Sequence, residues 1–397
     1  MKKVFSLNGL DRSGKTTQFD SLKANNVLVY SGKSIFDYSC IPKLKGEPLF
    51  NWWFMEGDTF DVVRRIYSAV SHRNKDISSA NYPLIVVNRG DRMFDAVCSA
   101  TIAVREGVSI EEASRLTNIV KSGLDFNSLS EDQSIFYKTG DSSTEMLTLS
   151  QSRSPISTFS KKADEIYGRY QSILADILNR QLKAGLYSQV INSREGIDIV
   201  AKRTHETVMH EMTKDLNLSR LGRVMGLGGL SECGKSSIGK HMADSLGFNR
   251  IKIGQVIDGV SAKYVNALSE RKLNVYDLGE EMLAVLFVEK LADLGSTIDS
   301  GIVLESLHNY KFTKKVKDIL GNGFHIVYVD APLDIRVTRN AVDVGNIQTS
   351  KIEIERKDTK KLSRGAHLIR GIADDVIDNS GSLMNTFKQL ETILAKW

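Results

Sequence analysis

The side chains best equipped for chemistry in this chain are two lysines, each near the end of an octet punctuated by glycine. Gly9-Leu10-Asp11-Arg12-Ser13-Gly14-Lys15-Thr16 and Gly229-Leu230-Ser231-Glu232-Cys233-Gly234-Lys235-Ser236 both fit G-x-x-x-x-G-K-[ST] in full. Glycine allows the tight backbone path that turns N–H groups toward phosphate oxygens. The lysine then reaches the β/γ-phosphates, and the hydroxyl residue binds Mg²⁺. Each octet follows a short apolar run readable as a strand, Val4-Phe5-Ser6-Leu7 and Arg223-Val224-Met225. The pattern predicts that ATP and Mg²⁺ are the cofactors. Gly9, Asp11, Ser13, Gly14, Lys15, Thr16 and Thr17 form one candidate cradle. Gly229, Gly234, Lys235, Ser236 and Ser237 form the other, with Thr16 and Ser236 as the metal ligands. The plain alternative, a glycine turn that precedes a lysine, has to hold twice in the same strand–loop–helix setting.

Elements that would position these octets recur in both halves. In the first, helices are expected over Thr16–Asn25, Phe60–His72, Asp164–Leu182 and Ile197–Leu216, and strands over Val27–Tyr30, Leu84–Val87 and Tyr187–Ile191. In the second, helices are expected over Ser236–Leu246, Asp277–Leu294 and Ser382–Ala395, with strands over Asn249–Ile253, Thr297–Ile302 and Phe324–Val329. Apolar runs such as Leu84-Ile85-Val86-Val87 suit parallel strands buried on both faces. Strands alternating with helices imply right-handed βαβ units. The expected class is therefore α/β: two tandem P-loop domains, 1–218 and 219–397, each a parallel sheet flanked by helices.

The stretch Gly9–Gln18 resembles the opening of thymidylate kinases. Asn88-Arg89 follows the apolar strand where that family places Asp-Arg; Tyr167-Gly168-Arg169-Tyr170 and Val190-Ile191-Asn192 are similar to its late helix and last strand. This resemblance spans about residues 1–213. Two positions depart from it. Asn88 replaces a carboxylate that would orient metal-bound water or the acceptor, and Asp58 stands where a base-reading arginine is expected. Phe54 is the residue that would keep the family's stacking ring. The second half, about 223–397, is similar to adenylate kinase and dephospho-coenzyme A kinase. The similarity rests on Gly228–Ser237, Val327–Arg339 and Ala373–Gly381. There, Ile298-Asp299-Ser300-Gly301-Ile302 resembles the family's Asp-Gly strand end, with an added serine and no arginine after it.

These resemblances imply roles. Arg12 would fork across the donor and transferring phosphates, the alternative being a solvated arginine. Arg89 would hold the acceptor phosphate with its bidentate fork, the alternative being a surface pair with Asp91 or Asp95. Lys33 is a further acceptor-site candidate, and Arg153 belongs either to a lid or to a plain serine-rich loop. Asp299 is the carboxylate expected to position metal-bound water or the acceptor, unless it is an ordinary loop aspartate. The named catalytic set is thus Arg12, Lys15, Arg89, Lys235 and Asp299. Arg336 and Arg339 are expected on the nucleotide phosphates. They open a basic region (Lys351, Arg356, Lys357, Lys360, Lys361, Arg364) that is either a closing lid or a solvated helix face. Trp52-Trp53-Phe54 is either a wall for a base or core.

Bulk composition narrows the classes. The 397 residues suit two domains, and a net charge of +5, shared evenly between the halves, gives nucleic acid no special claim. No stretch of about 18 apolar residues occurs to span a bilayer. Cys40, Cys98 and Cys233 are scattered and odd in number, which fits a reducing cytoplasm rather than a disulfide frame. The leading expectation is an ATP- and Mg²⁺-dependent tandem kinase acting on a small phosphorylated substrate, a pyrimidine (deoxy)nucleoside monophosphate, in nucleotide biosynthesis. A homodimer is an open arrangement. The alternatives are a nucleotide-sensing or scaffolding role for one half, and a kinase acting on nucleotides within DNA.

Overall fold

The computed structural model describes residues 2–152, 160–295 and 301–397. Arg153 and Asp299 lie outside the described residues, as does most of the strand expected at Thr297–Ile302. The chain divides into two compact units, Met1–Val208 and Met209–Trp397.

In the first unit, β1 (Lys3–Asn8) leads through the first octet into α1 (Lys15–Ala24), followed by β2 (Val29–Ser31), α2 (Glu47–Phe54) and α3 (Thr59–Ser79). Next come β3 (Leu84–Asn88), α4 (Asp91–Glu106), α5 (Ile110–Ser122), β4 (Gln133–Lys138), α6 (Ser143–Ser152) and α7 (Lys161–Lys183). β5 (Gln189–Asn192) ends the sheet, and the division between the units falls within α8 (Ile197–Lys214). Asp58, the departure from the resemblance noted above, is the N-cap of α3: its carboxylate accepts from Asp61 N at 2.8 Å. That satisfies one of the amides a helix start leaves unpaired. Strand β4 was not anticipated. Its signal is the buried triplet Ile135-Phe136-Tyr137, short enough to pass for part of a loop.

The second unit repeats the grammar: β6 (Val224–Gly228), α9 (Lys235–Leu246), β7 (Asn249–Lys252), α10 (Ile253–Lys263), α11 (Val265–Glu270) and α12 (Glu280–Gly295). Then follow β8 (Ile302–Leu307), α13 (Tyr310–Leu320), β9 (Phe324–Asp330), α14 (Leu333–Val344), α15 (Ile347–Leu362), β10 (Asp375–Asp378) and α16 (Leu383–Lys396). β7 is shorter than expected because Ile253 opens α10.

Both sheets have five parallel strands, in the orders β2-β3-β1-β4-β5 and β7-β8-β6-β9-β10. Counted within each unit these are one topology, 2-3-1-4-5. The first strand of each unit connects toward one edge and the fourth toward the other, so connections reverse between them. The crevice beyond the carboxyl ends at such a switch point is where open α/β sheets bind ligands. Both octets follow a central strand there. The central strands are buried throughout, Phe5 and Leu7 in β1 and Met225 and Leu227 in β6, because helices cover both faces.

Candidate active site: two phosphate loops

The two loops share one backbone solution. Gly9 and Gly229 have φ of +135° and +131°, and Gly14 and Gly234 have +94° and +100°. A Cβ at Gly9 would lie 2.8 Å from Tyr137 O, and at Gly229 only 2.4 Å from Val329 O, so the loop presses against the fourth strand and admits nothing larger than glycine. Arg12 and Glu232, at equivalent positions, both take the left-handed conformation with φ of +65° and +57°. Each lysine folds back inside its loop. Lys15 Nζ donates to Gly9 O at 3.0 Å, Leu10 O at 2.7 Å and Ser13 Oγ at 3.3 Å. Lys235 Nζ donates to Gly229 O at 2.9 Å, to Leu230 O and to Cys233 Sγ at 3.1 Å. Thus Cys233 occupies the place of Ser13 as an acceptor for the lysine. Burial, aided by the charge of Arg89 and opposed by Asp11, pushes the Lys15 ammonium down to about 7.

In the first unit, Asp11 is the hub. Its carboxylate accepts from Arg89 Nη2, from Tyr167 Oη at 2.8 Å and from Gln171 Nε2 at 3.2 Å, linking the loop to the end of β3 and to α7. Burial opposes its ionisation, but the charges of Arg89 and Lys15 outweigh this and hold its pKa down to about 2. Arg89 is itself left-handed, φ +69°, and its carbonyl accepts from Arg73 Nη1 at 2.7 Å. Arg89 Nε is buried without a hydrogen-bond partner. Neither surface pairing considered for Arg89 forms, since Asp91 lies 3.5 Å from Arg73 and Asp95 holds Lys121 at 2.8 Å. Beside this hub Phe54, Tyr167 and Tyr170 form an aromatic group, with Phe54 and Tyr170 centroids 5.0 Å apart at 63°. Trp53 is core instead, buried with its Nε1 donating to Thr101 Oγ1 at 3.1 Å. Lys33 stays exposed, 3.7 Å from Asp76.

The second unit grips its loop at the same third position by other means. Asp358 Oδ1 accepts from Ser231 N at 2.8 Å, while Arg336 Nη1 donates to Ser231 O at 2.9 Å and to Asp358 Oδ2 at 2.6 Å. Arg336 is buried, and its Nε donates to Ala331 O at 3.1 Å, so it braces the loop from behind. Arg339 donates to Gly381 O at 3.0 Å. The basic region following them is split by α15. Lys351, Arg356 and Lys360 are exposed, whereas Lys357 pairs with Glu353 at 2.8 Å and lies 3.6 Å from Glu232. Lys361 is pushed down to about 8, first by burial and then by the charge of Lys235.

One residue escaped the sequence reading. Leu7 pairs in register with Asn88, and Leu227 with Glu305, so Glu305 is the second unit's counterpart of Asn88. It is buried, and Arg250 Nε and Nη2 donate to its two oxygens at 2.7 and 3.1 Å. A Cβ at Gly239 would come within 2.1 Å of Glu305 Oε1, so α9 needs glycine there to pass the carboxylate. An acid inside the apolar run Ile302–Leu307 was the available signal.

Among the described residues no cluster of three or more His, Cys, Asp or Glu side chains could hold a metal by itself. A Mg²⁺ ion would rest on Thr16 or Ser236, both exposed at the first turn of the loop helix, together with nucleotide oxygens. The glycine cradles and exposed hydroxyls fit that group. Among the described residues no helix is long and apolar enough to cross a membrane.

No family model and no curated protein matches the chain. Solved structures align at low similarity. Deoxyadenosine kinase from M. mycoides with bound dATP is 11% identical with a TM-score of 0.39, over 52% of this chain and 98% of that one. The same enzyme with products dCMP and dCDP is 12% identical with a TM-score of 0.38 over the same shares. TT1252 from Thermus thermophilus is 21% identical with a TM-score of 0.31, over 44% of this chain and 98% of that one.

Proposed function

We propose that each unit binds ATP with Mg²⁺ and transfers the γ-phosphoryl group to a small phosphorylated acceptor, a nucleoside monophosphate. The observation that carries this reading is the pair of loops. Each holds a lysine within a glycine-flanked loop that follows the central strand of its sheet, at the switch point. Phosphoryl transfer asks the protein mainly for charge neutralisation and in-line positioning. In the first unit Lys15 and Arg12 serve the donor phosphates, and Arg89 serves the acceptor. Binding would draw Lys15 from the loop carbonyls onto phosphate oxygens, which accept more strongly. In the second unit Lys235 and Lys361 supply the charge, Arg339 is an auxiliary cation, and Arg336 holds the loop in shape. A Mg²⁺ ion held by Thr16 or Ser236 would supply further charge neutralisation on the donor phosphates.

The test is ATP-to-ADP conversion by the full chain across a panel of nucleoside monophosphates. Turnover should require both ATP and an acceptor. Lys15→Ala and Lys235→Ala should each abolish the conversion of a different acceptor, by about 10²-fold or more. Acceptor-dependent turnover that survives both substitutions would remove the proposal.

A further inference from the structure

The turn between β3 and α4 is restrained at each of its backbone polar groups from Arg89 N to Asp91 N. Arg89 N donates to Leu7 O at 3.0 Å, Gly90 N to Asn8 Oδ1 at 3.0 Å and Asp91 N to Glu131 Oε1 at 3.2 Å. Arg89 O accepts from Arg73 Nη1 at 2.7 Å and Gly90 O from Phe94 N at 3.1 Å. A Cβ at Gly90 would lie 2.1 Å from Glu131 Oε1 and 2.8 Å from Ser6 Cβ, so the turn has no slack. Arg89 itself is left-handed, φ +69°. A side chain holds that conformation only where its surroundings offset the strain.

Arg73, on α3, is 2% exposed. Its Nε and Nη2 donate to Asn74 Oδ1 at 3.2 and 2.9 Å, Nη2 lies 3.5 Å from Asp91, and the guanidinium lies 5.1 Å from the Phe94 ring centroid. Asn74 Nδ2 donates in turn to Asp91 Oδ1 and Asn127 O, both at 2.8 Å. These contacts fix the guanidinium plane and leave Nη1 on Arg89 O. Burial lowers the Arg73 pKa, opposed by the charges of Asp91 and Glu131. A buried guanidinium is costly unless paired and hydrogen-bonded, and here its bonds end on the carbonyl of the strained residue. The second unit repeats the turn. Ser306 follows Glu305 as Arg89 follows Asn88, its φ is +77°, and its carbonyl lies 2.5 Å from His308 Nδ1. Both units thus set a basic side chain on the carbonyl of a left-handed residue, and only the first places an arginine at that residue.

We infer that Arg73 is a positioning residue: its bond to Arg89 O holds Arg89 left-handed, and in that conformation the Arg89 guanidinium reaches Asp11 of the phosphate loop. Were φ to return to negative values, the side chain and carbonyl of Arg89 would rotate together relative to β3, parting Nη2 from Asp11. That Arg89 then meets an acceptor phosphate rests on the kinase reading; its placement by Arg73 does not.

The experiment follows the titration of Asp11 in the full chain through its side-chain carboxyl 13C resonance, assigned with Asp11→Asn. Burial opposes ionisation of Asp11, and the charges of Arg89 and Lys15 outweigh it. Arg73→Lys keeps a cation beside Asp91 but loses the fork, and should raise the Asp11 midpoint by about one pH unit or more. Asn74→Ala frees the plane of Arg73 without removing its charge, and should move the midpoint the same way. In an Arg89→Gln background neither substitution should move it further, because the effect passes through the missing guanidinium. A midpoint unmoved by Arg73→Lys and Asn74→Ala, whatever happens to Tm, would overturn the assignment, as would a shift that persists in the Arg89→Gln background. Turnover separates the two readings. With ATP and AMP, GMP, CMP or dTMP, Arg73→Lys should raise the acceptor KM about tenfold or more and leave that of ATP within about twofold. The expected Asp11 shifts without acceptor-dependent turnover in the parent chain would support the positioning role and defeat the kinase reading.

Discussion

Asp11 and Ser231 occupy the same loop position and are restrained in opposite chemical ways. Asp11 is restrained through its side chain, by Arg89, Tyr167 and Gln171. Ser231 is restrained through its backbone, by Asp358 and Arg336. The electrostatic consequence for Asp11 can be measured. Its native pKa of about 2 lies below its ordinary 3.8, so between those values the unfolded chain binds more protons and stability rises with pH. The contribution is complete above the unfolded value and is lost as pH falls through about 2. Asp11→Asn should therefore cost ~1–2 kcal/mol at pH 7, after discounting for partial solvent exposure. The cost should shrink toward zero near pH 2. Denaturant midpoints at several pH values will report it, and a pH-independent difference would contradict the charge argument.

At the scale of elements, α14 and α15 form a brace for the second loop. Arg336 on α14 and Asp358 on α15 are a buried ion pair, side chains 6% and 9% exposed, that also holds Ser231. Removing one member of such a pair leaves the other charged and buried, which costs about 3–5 kcal/mol. Asp358→Ala should lower the denaturation midpoint accordingly and weaken ATP binding at the second loop, with binding at the first unaffected. Unchanged stability would mean that the brace is not needed. The third strand of each unit also differs: β3 ends on exposed Asn88 where β8 carries buried Glu305. Glu305→Gln keeps the shape but removes the charge facing Arg250. It should reduce Lys235-dependent turnover by about tenfold or more if the carboxylate serves the acceptor, and Arg250→Gln provides the control for a purely structural pair. Phosphoryl transfer that is unaffected by Glu305→Gln would restrict that residue to the ion pair.

At the scale of the molecule, one sheet topology is built twice with a phosphate loop at the same point of each. Equilibrium dialysis should find two ATP sites per chain, falling to one in either Lys15→Ala or Lys235→Ala. A single site in the intact chain would mean that one cradle is vestigial.

The sequence by itself determined the two loops, the parallel α/β grammar and about half of the longer helices, while α4, α5, α10, α13 and α14 were not anticipated. What it determined follows from local pattern: glycines at required backbone angles, apolar runs for doubly covered strands, and 3.6-residue spacing for helices. Short β4 escaped because three apolar residues do not separate a strand from a loop. Only the tertiary structure decided which residues meet. Arg89 lies 78 positions from Asp11, and Arg336 and Asp358 more than 100 from Ser231. Glu305 gains its place from the register of β8 against β6. Sheet order and register set those encounters, and neither is written in the periodicity of a single segment.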